Sequence, residues 1–185
     1  MSVKKSPKKY NLDLACGNNK QKGFVGIDIT KKGTQADIEH DLMKFPWPIE
    51  SNSVDQIFSS HYLEHIPHGN GYEDPLFNFM DEVHRVLKPG AVAQFLTPYY
   101  TSVRAFQDPT HLRFISEPMF LYFTKEWRKV NKLTHYPVKC DFEIVKIDHS
   151  VNQMYSGRAQ EAVQQMAMMN WNVVDDIIVT LKKKI

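Results

Sequence analysis

Two strand-like runs joined by very little chain constrain this sequence more than any other feature. Tyr10 to Leu14 leads into a turn of small residues, Ala15-Cys16-Gly17, and Phe24-Val25-Gly26-Ile27-Asp28 then ends on a carboxylate. The link from Asn18 to Gly23 is six residues, a reach of about 20 Å when fully extended. That suffices to run back along a short strand. It falls short of the dozen or so residues that usually hold a helix between parallel strands, so the first crossover helix is expected to be shortened or absent. A strand, a small-residue turn and an acid closing the next strand bring main-chain N–H groups and a hydrogen-bond acceptor to one sheet edge. That combination suits the grip of a nucleoside.

The rest of the chain continues the alternation. A short third strand is expected near 36–39, and Val54–Ser60 reads as a buried fourth. Asp74 fits an N-cap and Pro75 the first helical position. Leu76, Phe79, Met80, Val83 and Leu87 repeat at helical spacing until Lys88-Pro89-Gly90 stops the helix. Ala91–Leu96 reads as the fifth strand. One helix is expected from Ser116-Glu117-Pro118 through Val130, a sixth strand at Phe142–Ile147, a helix at Arg158–Met169 and a last strand at Asn172–Leu181. The expected fold is α/β: a single-domain Rossmann-like sheet, mostly parallel, with an antiparallel C-terminal edge. Residues 1–9 read as a flexible basic leader and 10–185 as one domain.

Composition narrows the class. The 185 residues carry a formal net charge of +2, and the lysines gather at the two ends, where they read as solvated tails. No basic stripe points to nucleic acid. Neither a secretory signal nor a membrane-spanning run is present. Two cysteines, Cys16 and Cys140, give no disulfide framework, which fits a reducing, cytoplasmic setting.

Further segments extend the pattern. Asp41-Leu42 is followed by Phe45-Pro46 and Ser53-Val54-Asp55, then by Ser60-His61-Tyr62-Leu63-Glu64-His65-Ile66 and Glu82-Val83-His84-Arg85-Val86-Leu87-Lys88-Pro89-Gly90. In joint order with Leu12 to Gly17 and Gly26 to Ile29, these resemble the class I S-adenosylmethionine-dependent methyltransferases, in the small methyltransferase type 11-like group. The resemblance runs from Leu12 to about Pro98. Ala15 and Asn19 stand where many relatives have glycine. It implies S-adenosylmethionine as cofactor, with S-adenosylhomocysteine as product. Ala15, Cys16, Gly17 and Asn18 would allow close backbone approach, and Asp13 would hold the methionine amino group. Asp28 and Ile29 would meet the ribose, Asp41 and Leu42 the adenine, and Ser60 and His61 the sulfonium end.

Plainer readings stand beside these. Asp28 also reads as an ordinary strand-end acid, the glycine turn as a simple turn and Asp41 as a turn cap. Nothing near Cys16 in sequence activates a thiolate, so it reads as a packing residue. His61, His65 and His68 invite a metal, but Pro67 and Gly69 end any regular helix there, and no metal is expected. The segment after the fifth strand mixes Tyr99, Tyr100, Arg104, Asp108, His111 and Arg113 and reads as the acceptor side. His111, Asp108 and Tyr99 are the catalytic candidates, with His111 taking the acceptor's proton and Asp108 orienting it. The alternative has His111 contacting only its own loop. Thr97-Pro98-Tyr99-Tyr100 superficially resembles the aromatic motif of DNA amino-methyltransferases, but it follows the fifth strand rather than the fourth.

The expected activity is methyl transfer to an oxygen or nitrogen of a small-molecule acceptor. The alternative is a non-catalytic cofactor-binding or partner-binding protein on the same fold. A nicotinamide oxidoreductase would need a fuller glycine fingerprint and an intact first crossover helix.

Overall fold

The computed structural model describes residues 9–70 and 72–185; most of the basic leader lies outside them. Seven strands form one sheet: β1 (Asn11–Leu14), β2 (Val25–Asp28), β3 (Ile38–Glu39), β4 (Val54–Ser60), β5 (Leu87–Pro98), β6 (Phe142–Val151) and β7 (Val174–Lys183). Their spatial order is β3-β2-β1-β4-β5-β7-β6. β1 to β5 pair in parallel, and β7 runs antiparallel between β5 and β6. This is the expected α/β sheet. The ten residues between β1 and β2 hold turns and no helix, because the link is too short to carry one.

The helix α1 (Pro75–Val86) joins β4 to β5. Asp74 caps it by accepting from Leu76 N, and Pro75 occupies its first turn. Its apolar stripe of Leu76, Phe79, Met80, Val83 and Val86 is buried. It belongs to one core with the sheet row Leu12, Ile57, Ala93 and Leu181, whose members are in register and fully buried. On the opposite face the in-register residues Gln56, Phe58, Val92, Gln94, Leu96, Ile178 and Thr180 are only half-buried.

Three local expectations change. Lys88-Pro89-Gly90 follows the end of the helix as expected, but the fifth strand begins at Leu87 and not at Ala91, because Leu87 already pairs with Val54 across a bulge. Gly90, at φ 79°, supplies the left-handed residue there. The single helix from Ser116 is instead a 3₁₀ segment, Glu117–Phe123, followed by α2 (Lys125–Val130). The buried pair Phe120 and Phe123 is spaced by three, the 3₁₀ period, and extended Thr124 breaks the run. The trailing lysines are not a solvated tail. Lys182 and Lys183 belong to β7, and Lys183 Nζ is buried, donating to Asn52 Oδ1 and to the carbonyls of His84 and Leu87 at 2.7–2.9 Å. A cation suits that place, since those carbonyls close the C-terminus of α1. The helix α3 (Gln160–Met169) lies close to its expected bounds and buries no residue.

Candidate active site

The carboxyl ends of β1, β2 and β4 stand side by side, because β1 pairs in parallel with both neighbours. Two of these ends bend through left-handed backbone: Ala15 and His61 both have φ 53°. That region costs a residue with a Cβ about 1–2 kcal/mol, and such positions collect at functional sites. Gly17, at φ 49°, tolerates it freely.

Asp28 closes β2. Its Oδ2 accepts from Gly17 N at 2.9 Å and its Oδ1 from Ile29 N at 2.8 Å. These bonds lace the acid to the β1 turn and leave each oxygen a further lone pair. Ile29 and Asn18 are exposed beside it. Asp13 is buried, and its Oδ2 accepts from Gln21 N at 2.6 Å, fixing the crossover loop. Burial raises its pKa, opposed by the Gln21 bond and by Lys20. Cys16 is buried too, and its thiol is pushed up to about 11, by burial first and then by Asp13 and Asp28. It is a packing residue, as expected. Asp41 Oδ1 accepts from Met43 N at 2.9 Å as a turn cap. Leu42 sits in the core, its carbonyl accepting the Trp47 indole N–H.

Beside Ser60, two remote segments zip together. Leu112 N and Arg113 N both donate to the Glu64 carbonyl, at 2.7 and 3.0 Å. Arg113 ties the loop down through the Ile66 and Pro67 carbonyls and Asp74, so it is a clamp, not a free cation. The zipper brings Glu64 and His65 against Asp108, Thr110 and His111. The buried Glu64 carboxylate meets His61 Nδ1 at 3.2 Å and accepts from Thr97 Oγ1 at 2.9 Å. His111 Nδ1 lies 3.1 Å from the Ala105 carbonyl, and its Nε2 is 3.9 Å from Asp108 Oδ2. The His65 and His111 rings pack edge to face, 4.8 Å apart. Asp108 Oδ1 accepts from Thr110 Oγ1 at 2.7 Å.

Three further acids belong to this edge and escaped sequence reasoning. Glu64 had a visible signal, its spacing of three from His61. Asp176 had none. It enters from the start of β7, 72 residues away from its ion-pair partner Arg104, 2.5 Å from Asp176 Oδ2. Asp176 is buried, its Oδ1 has no hydrogen-bond partner among the described residues, and burial raises its pKa against the pull of Arg104 and His61. Glu117 is the third. It accepts from the Tyr99 hydroxyl at 3.0 Å and meets His149 Nε2 at 2.7 Å. Burial raises the Tyr99 hydroxyl pKa, and Glu117 adds to the effect. Tyr99 is therefore bonded to Glu117 and not to His111 or Asp108. It lines an open cavity of about 970 Å³ with Glu117, His149, Val163, Met168 and Trp171. No residue of the glycine turn lines that cavity.

The arrangement offers carboxylate acceptors at one end, imidazoles at the other and a half-open cavity of mixed polarity beyond. A family model described as a methyltransferase domain, of the methyltransferase 11 family, matches residues 10–95. No curated protein matches the sequence. Among solved structures, an S-adenosylmethionine-dependent methyltransferase from Archaeoglobus fulgidus is similar over 96% of this chain and 87% of its own, at 16% identity and TM-score 0.64. One from Methanosarcina mazei is similar over 97% and 95%, at 15% and 0.58. The geranyl diphosphate C-methyltransferase of Streptomyces coelicolor, solved with Mg²⁺, geranyl diphosphate and S-adenosyl-L-homocysteine, is similar over 96% and 73%, at 10% and 0.53. At such identities the structures speak for the fold, and the family match speaks for the class. Residues 10–95 thus match the methyltransferase 11 family, described as a methyltransferase domain, and the chain as a whole shares the fold of S-adenosylmethionine-dependent methyltransferases.

Proposed function

We propose that the protein transfers a methyl group to an oxygen or nitrogen of a small-molecule acceptor. The observation that carries the reading is the lacing of Asp28 to Gly17 N and Ile29 N at the strand tips. It holds a carboxylate with spare lone pairs where a vicinal diol can donate to both oxygens. The residues fit an adenosyl group. Ala15, Cys16, Gly17 and Asn18 give close main-chain approach, and Asp13 lies below the turn for the amino end. Asp28 and Ile29 take the ribose. Asp41 faces the adenine, backed from the core by Leu42. Ser60 and His61 border the sulfonium end. When bound, the cofactor supplies an electrophilic methyl group.

The chain's own task is then positioning, which can supply about 7–11 kcal/mol. Tyr99 and the cavity behind it hold the acceptor, and the orphaned Asp176 Oδ1 receives a donor from it. His111 Nε2 accepts the acceptor's proton, with its Nδ1 held by Ala105 O and Asp108 beside it. Reading residues 10–185 as one domain is supported by the single sheet running from Asn11 to Lys183. A cytoplasmic setting is supported by two unpaired, buried cysteines. No helix among the described residues is long and apolar enough to cross a membrane.

Thermal unfolding with S-adenosylhomocysteine tests the site. At a hundredfold over Kd the ligand adds about 2.7 kcal/mol, or roughly 5–11 °C in Tm for a chain this size. Asp28→Ala should remove most of that shift; an unchanged shift overturns the ribose assignment. His111→Ala should keep the shift and slow release of S-adenosylhomocysteine when hydroxyl and amine acceptors are screened. Equal turnover removes His111 from proton transfer.

A further inference from the structure

We infer that Glu64, His65 and His111 form a binding site for one divalent transition-metal ion. One ligand atom from each of the three lies within 4.8 Å of the others. Around an ion at about 2.1 Å, neighbouring ligands stand roughly 3.0–3.5 Å apart, so side-chain shifts of about 1 Å close the set. The histidines considered from sequence were His61, His65 and His68. The fold discards His68, whose Nε2 bonds the Leu112 carbonyl at 2.7 Å, and brings in His111 from the zipped loop.

Three further observations point to a ligand. Both imidazoles have Nδ1 against a main-chain oxygen: His65 against Thr110 O at 3.3 Å, and His111 against Ala105 O at 3.1 Å. An Nδ1–H donated to a carbonyl leaves the Nε2 lone pair free and aimed, the usual support for a metal-bound histidine. Glu64 is 1% exposed, and among the described residues no lysine or arginine pairs with it. A buried carboxylate without a cation is costly, and an ion would supply the missing charge. Its oxygens are already oriented by Thr97 Oγ1 and His61 Nδ1. Asp108 Oδ2, 3.9 Å from His111 Nε2, is within a small shift of serving as a fourth ligand.

Two imidazoles and one carboxylate select a zinc-, cobalt- or iron-like ion over magnesium or calcium, which prefer oxygen donors. Three protein ligands leave a coordination position open for an acceptor group. An acceptor hydroxyl bound there yields its proton to water more readily; nothing is oxidised or reduced. This role rests on the proposed methyl-transfer reading, and it makes His111 Nε2 a ligand in the loaded protein instead of the proton acceptor.

The test reads binding without turnover. The full chain is stripped with a chelator and titrated with Co²⁺, followed by visible absorption, and with Zn²⁺, followed by Tm. One ion per chain is expected, with a Co²⁺ ligand-field band and a Tm rise of roughly 5–11 °C at a hundredfold over Kd. His65→Gln and His111→Gln should each lose both signals while keeping the S-adenosylhomocysteine shift, which shows that they fold. No band and no Tm change in the wild type overturns the site, as does unchanged binding in both variants. Loss of the S-adenosylhomocysteine shift in the wild type would break the cofactor reading instead, and leaves the metal result to be judged by itself.

Discussion

The crossover from β1 to β2 and the crossover from β4 to β5 do one topological job by different physics. The second carries α1, whose Phe79 is fully buried with Trp47 and Tyr62 at ring distances of 5.5 Å and Phe95 at 6.4 Å. Hydrophobic burial fixes it. The first has no room for such a stripe. It is fixed by carboxylates that accept main-chain N–H groups: Asp13 from Gln21 and Asp28 from Gly17. Lys20 adds an ion pair to Asp37 at 2.8 Å. The lesson is that a crossover stripped of its helix gathers acids at the strand tips. The same acids that hold the loop in place stand ready for a polar ligand. The cost is borne there as well, in a buried Asp13 and a left-handed Ala15.

The contrast is sharpest when both crossovers are broken. Phe79→Ala should cost about 3–5 kcal/mol, read as a fall in the denaturant midpoint; a loss under 1 kcal/mol would mean α1 is not what anchors its half. Asp13→Ala should cost less, about 1–3 kcal/mol, for the stranded Gln21 N–H.

The conservative Asp13→Asn isolates the charge. Burial raises the folded pKa of Asp13 above its ordinary 3.8. The stability tied to its proton is thus fully present below the unfolded pKa and lost as pH rises through the folded one. The Asn variant lacks that loss. Its stability relative to the wild type should therefore climb as pH rises from about 3 and level off above the raised pKa. A flat difference across that window would place Asp13 in water.

Smaller effects refine the same picture. Ala15→Gly relieves the left-handed turn and should stabilise by about 1 kcal/mol, a Tm rise of roughly 2–4 °C. A fall in Tm would mean the alanine methyl packs more than it strains. Cys16, with its thiol pushed up to about 11, should resist alkylation at pH 8 in the folded protein and react on unfolding. Labelling at the rate of a free thiol would show the β1 turn to be open.

Much of the fold was written locally. Asp74-Pro75 marked the start of α1, and the six residues from Asn18 to Gly23 excluded a first helix on length alone. The failures came where a distant partner overrode local chemistry. Pro89-Gly90 does end the helix, yet Val54 recruits Leu87 into the sheet, so the fifth strand starts four residues ahead of Ala91. Lys183 belongs to a charged run, yet it finds the carbonyls that close α1. In the site, the acid at Asp28 was legible because strand and turn lie within one short segment. Asp176 was not, because its partners Arg104 and His61 reach it only through the sheet order.

The sequence alone therefore determined the alternation of strands and turns, the missing helix and the acids at the first two strand tips. Each follows from chain length, spacing and residue type over a few neighbours. Tertiary structure alone decided which histidines gather around Glu64, and that a β7 aspartate closes on Arg104. Those meetings depend on β7 inserting between β5 and β6, and on two loops 45 residues apart exchanging hydrogen bonds at His65 and Thr110.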